Sequence, residues 1–313
     1  MGQQEAKRQV SRAQWLRRLA SRRSDRTAFV LSGGGPYGAL QVGTLQALFE
    51  AGVKPDIVVG TSVGSMNAAF VAFGPSVQGM ERLKRIWLDF GDSDLFPGSR
   101  FKTAWARMLM RGNRVFENSG LRKVIEANLG QPTFEDAQLP LGVVAADLDT
   151  GAERVFSSGP LIEPLLASSA MPGIYPPVAI DGSLYIDGGV ADSVPIAPAV
   201  AMGAKRIYVI DVSSTNHQRR PLLRPMDYLL HAFSLSRAKR LELDIARYKD
   251  RVELIFVPVP RLDFVVPFAS MEHTPRLIRM GYDHTRRFFE EQPAVGAGAQ
   301  SGPRDPETAV PAT

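Results

Sequence analysis

Ser62 stands in Gly60-Thr61-Ser62-Val63-Gly64, between the apolar run Asp56-Ile57-Val58-Val59 and the segment Ser65-Met66-Asn67-Ala68-Ala69-Phe70. The run reads as a short buried strand and the segment as a helix start, so the serine occupies a strand-to-helix turn. A Gly-x-Ser-x-Gly turn in that setting is a nucleophile elbow. Gly60 and Gly64 permit the sharp turn and close backbone approach, and the hydroxyl is left exposed at the carboxyl edge of the sheet. The following helix points its positive end at that oxygen, where a developing anion is stabilised. A serine hydroxyl still needs a base to take its proton. Asp187, which ends a strand and is followed by Gly188 and Gly189 in a tight turn, supplies a carboxylate. Partial desolvation raises the pKa of such a group and lets it act as the base without a histidine. Gly33-Gly34-Gly35 then offers backbone N–H groups with no side chain in the way, suited to an oxyanion hole. Pro36 has no N–H to give, but its fixed φ suits a first helical position.

The elements that must position these residues form a βαβα beginning. Ala28-Phe29-Val30-Leu31 makes a first strand, the glycine loop runs from Gly33 to Gly38, and a helix follows from about Ala39 to Glu50. Next come the Asp56 strand and the elbow, so a parallel sheet covered by helices is implied. Further strands are expected at Leu141–Ala146, Arg154–Ser157, Lys205–Val212 and Val252–Val259. A hairpin is expected from Val178–Ile180 and Leu184–Ile186 around Asp181-Gly182. Helices are expected at Leu161–Ala170, Met226–Tyr248 and Thr274–Glu290. In a parallel sheet, loops after the strands share one edge, which brings the glycine loop, the elbow and Asp187-Gly188-Gly189 together. The stretch 79–130 reads as mostly helical. Its Trp87, Phe90, Phe96, Phe101, Trp105, Met108 and Met110 would make either a lid over the elbow or ordinary helix packing.

The chain resembles the patatin-like phospholipase family, which includes bacterial lipid acyl hydrolases and neuropathy-target-esterase-type lysophospholipases. The resemblance rests on Gly33-Gly34-Gly35-Pro36-Tyr37-Gly38, on Gly60-Thr61-Ser62-Val63-Gly64 and on Asp187-Gly188-Gly189. Ala167-Ser168-Ser169-Ala170-Met171-Pro172-Gly173 and Pro176-Pro177 add to it, and the whole covers roughly Thr27 to Ser213. It implies a three-layer α/β/α sandwich with a mainly parallel central sheet. It also implies a Ser62–Asp187 dyad at the carboxyl edge, the glycine loop as oxyanion hole, and metal-independent hydrolysis of lipid esters with no cofactor. Two positions depart from the family pattern: Tyr37 replaces a usual basic residue, and Asp192-Ser193 stands where asparagines are common.

Two other readings of the same residues are open. Ser62, Asp187 and His217 follow the chain order of a Ser–His–Asp hydrolase, although the four histidines His217, His231, His273 and His284 all lie late in the chain. Gly33-x-Gly35-x-x-Gly38 fits a dinucleotide fingerprint, but the next strand carries its acidic residue, Asp56, at its beginning rather than its end.

Composition sets the outer bounds. The 313 residues are enough for one large domain, expected over 27–290, and 44% are hydrophobic. There are no cysteines, which excludes disulfides, thiolate catalysis and cysteine-ligated metals. No apolar run is long enough to span a bilayer and no signal-peptide pattern opens the chain, so a cytoplasmic protein is expected, peripheral at membranes. The net charge of +5 is concentrated before Arg26, where Lys7, Arg8, Arg12, Arg17, Arg18, Arg22 and Arg23 alternate with Val10, Trp15, Leu16 and Leu19. This 1–26 arm reads as a solvated segment or as a contact for anionic lipid. The arginines come with no nucleic-acid recognition motif. From 291 onward Pro, Gly, Ala and Thr dominate, so a disordered tail over 291–313 is expected. Oligomeric state is not fixed by these features. If the arm contacts lipid, its removal lowers flotation with anionic vesicles at low salt. Equal flotation of full-length and truncated chains would exclude that role.

Overall fold

The computed structural model describes residues 26–89, 91, 116–213, 225–264, 266–267 and 270–291. The arm before Arg26, the tail from 292, His217, and Phe90 through Met110 apart from Gly91 lie outside the described residues. The described strands are β1 (Thr27–Leu31), β2 (Ile57–Thr61), β3 (Leu141–Asp147), β4 (Glu153–Phe156), β5 (Val178–Ile180), β6 (Ser183–Asp187), β7 (Arg206–Ile210) and β8 (Glu253–Phe256). The helices are α1 (Gly38–Glu50), α2 (Val63–Phe73), α3 (Val77–Asp89), α4 (Ser119–Leu129), α5 (Ile162–Ser168), α6 (Ile196–Ala201), α7 (Pro225–Tyr248) and α8 (Thr274–Glu291).

The strands form one sheet in the order β5-β6-β3-β2-β1-β7-β8, with β4 also paired to β3. Its centre is parallel: β1 pairs with β2 and β7, β2 with β3, and β7 with β8. Its flank is antiparallel, through β3–β4, β3–β6 and β5–β6. The sheet is therefore mixed. The hairpin turns through Asp181 at φ 50° and Gly182 at φ 85°, as a tight turn of that type requires.

Period-two alternation divides the apolar residues between two cores. Phe29, Leu31, Val58, Tyr208 and Ile210 face a core shared with α1, α2, α3, α4, α5 and α8. Ala28, Val30, Ile57, Val59, Ile207 and Val209 face the opposite core, shared with α6 and α7. Burial on both faces explains why the central strands are continuously apolar rather than alternating with polar residues. The result is the three-layer arrangement expected. Helix α6 was not anticipated, because Pro195 and Pro198 punctuate its sequence. Trp87 joins the packing: its indole N–H donates to Asn67 Oδ1 at 2.8 Å. Among the described residues no helix is long and apolar enough to cross a membrane.

Candidate active site

The elbow is a strained turn held by its surroundings. Ser62 has φ 55° and ψ −129°, a positive-φ conformation that costs a non-glycine residue about 1–3 kcal/mol. Its N–H donates to Ser168 Oγ at 2.9 Å, and that hydroxyl donates onward to the Val144 carbonyl at 2.5 Å. Its carbonyl accepts from Ser65 N–H at 2.9 Å and Ser65 Oγ at 2.7 Å. A Cβ on Gly60 would overlap the backbone of Gly64, and one on Gly64 would overlap the carbonyls of Leu31 and Ser32. Only glycine at both positions lets α2 start directly against β1.

Asp187 reaches this hydroxyl by a route the sequence did not disclose. The strand before it, β6, runs antiparallel to β3, so Asp187 does not follow a parallel strand as expected. Register supplies the correction: Asp187 lies opposite Ala145, and Val144 lies opposite Thr61. The carboxylate therefore stops level with Ser62 because β6 starts beyond the carboxyl edge and runs back toward it. Ser62 Oγ donates to Asp187 Oδ2 at 2.6 Å, Gly189 N–H donates to Oδ1 at 2.7 Å, and Asp187 N–H donates to the Ala170 carbonyl at 2.9 Å. Burial pushes the Asp187 carboxyl up to about 6, against the hydrogen bonds from Ser62 and Gly189 and the field of Arg237, which hold it down. A carboxylate of that basicity is ionised near neutral pH yet can accept a proton.

The glycine loop divides its duties. Gly33 N–H donates to the Ser193 carbonyl at 3.0 Å, so it is not a free donor, contrary to the expectation that all three glycines line the oxyanion hole. Among the described residues the N–H groups of Gly34 and Gly35 have no hydrogen-bond partner. The loop is anchored to β7, since Ser32 N–H donates to Ile210 O at 3.2 Å and Val212 N–H donates to Ser32 Oγ at 2.9 Å. Gln41 Nε2 donates to Ser32 O at 2.8 Å and Asn67 Nδ2 to Gln41 Oε1 at 2.9 Å, continuing a buried polar chain to Trp87. Tyr37 is buried in the core, so no charge enters from the position where the family carries a basic residue.

Asp192 and Ser193, noted in the sequence only as departures, tie three parts of the site together. Thr61 Oγ1 donates to Asp192 O at 2.9 Å, Asp192 N–H donates to Gly188 O at 2.8 Å, and Ser193 O holds Gly33. No motif spacing marks this clip. Ser168, quoted within the family-like segment, likewise had no assigned role. Among the described histidines, none hydrogen-bonds to Ser62 or Asp187; His231 is exposed on α7, His273 rests against Phe264, and His284 is partly buried on α8. Asp56 Oδ2 accepts from Thr27 N–H at 2.9 Å, which fixes it at the amino end of the strands, far from the edge where a ribose would need it.

Beneath the clip lies a carboxyl pair. Asp192 Oδ2 and Glu153 Oε2 are buried without a hydrogen-bond partner, Glu153 Oε2 having only the ion pair to Arg240, while Asp192 Oδ1 accepts from Val194 N–H at 3.1 Å. Burial, then the charges of Glu153 and Asp244, push the Asp192 carboxyl up to about 8, and Arg240 opposes them. Arg240 reaches Glu153 at 3.5 Å and Asp244 at 3.0 Å. A carboxyl whose folded pKa is raised contributes stability that is complete below the unfolded value of 3.8 and is lost as pH rises from there to the folded value of about 8. Asp192→Asn, whose amide donates without titrating, is therefore expected to flatten the decline between about pH 4 and 8 and to gain roughly 1–2 kcal/mol over wild type above that range. Urea denaturation across the pH range measures this, and parallel curves for both proteins would contradict the raised Asp192 pKa.

The patatin-like phospholipase model matches residues 29–200. The human patatin-like phospholipase domain-containing protein 6 is 35% identical over 189 residues, which is 60% of this chain and 13% of that protein. Lysophospholipase nte1 of Aspergillus terreus is 31% identical over 201 residues, 63% of this chain and 12% of that one. VipD of Legionella pneumophila superposes over 85% of this chain and 67% of its own, with a TM-score of 0.44 and 16% identity. The chain thus spans only about an eighth of the length of these curated relatives. With its family model spanning both Ser62 and Asp187, the chain belongs to the patatin-like phospholipase family.

Proposed function

We propose that the protein is a serine-dependent lipid acyl hydrolase that cleaves carboxylic esters of phospholipids or lysophospholipids. Residues 27–290 would act as one catalytic domain. The observation that carries this reading is the 2.6 Å hydrogen bond from Ser62 Oγ to the buried Asp187 Oδ2. Ser62 Oγ attacks the ester carbonyl carbon as its proton moves to Asp187 Oδ2. The N–H groups of Gly34 and Gly35 receive the resulting oxyanion. Collapse of the tetrahedral intermediate breaks the ester C–O bond, and Asp187 returns the proton to the leaving alkoxide. Water then gives a proton to Asp187 and attacks the acyl-Ser62 carbonyl. Release of the fatty acid restores the Ser62 hydroxyl. Burial of Asp187 serves both steps, because a more basic carboxylate is a better acceptor.

Family membership and the name of the Aspergillus relative support lipid esters as substrates. Peripheral contact with anionic membranes through residues 1–26, from a cytoplasmic location, belongs to the same proposal. The Ser–His–Asp alternative through His217 has no support at the dyad, where the serine proton already has a carboxylate acceptor. The dinucleotide alternative is opposed by the position of Asp56.

Ser62→Ala and Asp187→Asn are each expected to lower kcat for a p-nitrophenyl acyl ester by roughly a thousandfold or more. In wild type, kcat/KM should fall at acid pH with a midpoint near the Asp187 value of about 6, since a protonated carboxyl cannot accept the serine proton. Near wild-type turnover in either variant would refute the dyad.

A further inference from the structure

The carboxyl edge of the sheet carries a second feature beside the dyad. A cavity of about 230 Å³ opens between the loop after β7 and α7, lined by Val194, Asp211, Ser213, Ser234 and Arg237 among others. It borders the oxyanion loop, because Val212 packs against Gly34 closely enough that a Cβ there would lie 2.8 Å from Val212 Cγ2. It also borders the Asp187 turn, since Val194 follows directly on the clip of Asp192 and Ser193.

Arg237 is the cation of this cavity. It lines the cavity together with Asp211, and its charge is felt at both Asp187 and Asp211. Among the described residues no carboxylate forms an ion pair with it. Its Nη2 donates to Ser234 Oγ over a long 3.4 Å, it lies over the Phe233 ring at 4.9 Å, and its buried Nε has no acceptor. Asp211 does not satisfy it: Oδ1 of that carboxylate accepts from Ser213 N–H at 2.8 Å and from Ser213 Oγ at 2.6 Å. A buried guanidinium donor without an acceptor costs free energy that a bound anion would recover. The planar fork of arginine suits the oxygens of a phosphate ester. The glycine loop itself carries no positive charge, and its Tyr37 is buried.

We propose that Arg237 and its cavity form a phosphate subsite that holds the head-group side of a phospholipid ester while its acyl carbonyl meets Ser62. This rests on the esterase reading above and adds to it the orientation of the substrate. Arg237 enters from α7, on the far side of the sheet from Tyr37.

The test compares a lysophospholipid with the monoacylglycerol of the same acyl chain, which lacks the phosphate. Wild type, Arg237→Gln and Arg237→Lys are assayed above the Asp187 value, so that loss of the Arg237 field does not alter the ionisation of the base. Arg237→Gln should lower the ratio of kcat/KM for the lysophospholipid to that for the monoacylglycerol by about tenfold to a hundredfold. Arg237→Lys should recover part of that ratio. An unchanged ratio, including an equal loss on both substrates, would overturn the subsite and leave Arg237 as a support for Asp187 or for the fold. Turnover of both substrates in wild type with that unchanged ratio keeps the esterase reading while removing the subsite. No turnover of either substrate removes both. A second arm separates sources of phosphate. Glycerol 3-phosphate should compete with p-nitrophenyl ester turnover in wild type and lose that effect in Arg237→Gln. Equal competition by inorganic phosphate together with an unchanged substrate ratio would mark a free-phosphate site and overturn the head-group role.

Discussion

The hydrogen bond between Ser62 and Asp187 is the constraint around which the site is arranged. It demands two conditions that oppose each other. The carboxylate must be buried enough to be basic, yet its charge must be held by donors so that it does not simply remain protonated. Asp187 meets both, with burial raising its pKa and with Ser62 Oγ and Gly189 N–H bound to its two oxygens. The strained conformation of Ser62 follows from the same demand, because only that backbone turn aims the hydroxyl at β6 while α2 leaves in another direction.

Strain and buried polar groups have to be offset by the rest of the molecule. The two cores on either face of the sheet do this, with β1 and β2 buried along their length. A fully buried leucine or phenylalanine contributes about 1.5–3 kcal/mol, so a few such side chains outweigh the strain at Ser62. The hydrogen bonds then decide geometry rather than stability. Ser168 fixes the Ser62 N–H, and Thr61 and Gly33 each hold the Asp192-Ser193 clip. Elbow, glycine loop and Asp187 turn are therefore tied to one another, although they come from distant parts of the chain.

How much of this was readable in the sequence depends on the range of each interaction. The elbow, the glycine loop and the hairpin are local patterns, and each was found where the turn residues Gly60, Gly64, Asp181 and Gly182 place it. The parallel centre followed from the βαβα order. The direction of β6 was not legible, since an antiparallel strand and a parallel one carry the same apolar pattern. Its register alone brings Asp187 level with Ser62. The use of Gly33 N–H by Ser193 was equally hidden, because two glycine positions with identical side chains differ only in what the fold sets opposite them. Asp192 reads as adjusting the turn after the dyad or as a solvated substitution, and only the fold shows it buried with the charges of Glu153 and Asp244 nearby. Arg237 lies on a helix with ordinary charge spacing, and nothing local distinguishes it from the exposed Lys239.

The central claim is that Ser62 is made nucleophilic by Asp187. The most direct measurement is covalent labelling with a fluorophosphonate, followed by mass spectrometry of the intact protein and its peptides. Attack by the serine oxygen on phosphorus expels fluoride and leaves a stable adduct that needs no assumption about the natural lipid. The account predicts one adduct on the peptide containing Ser62, none in Ser62→Ala, and greatly slowed labelling in Asp187→Asn. An adduct on another residue, or labelling of Asp187→Asn at the wild-type rate, would contradict it.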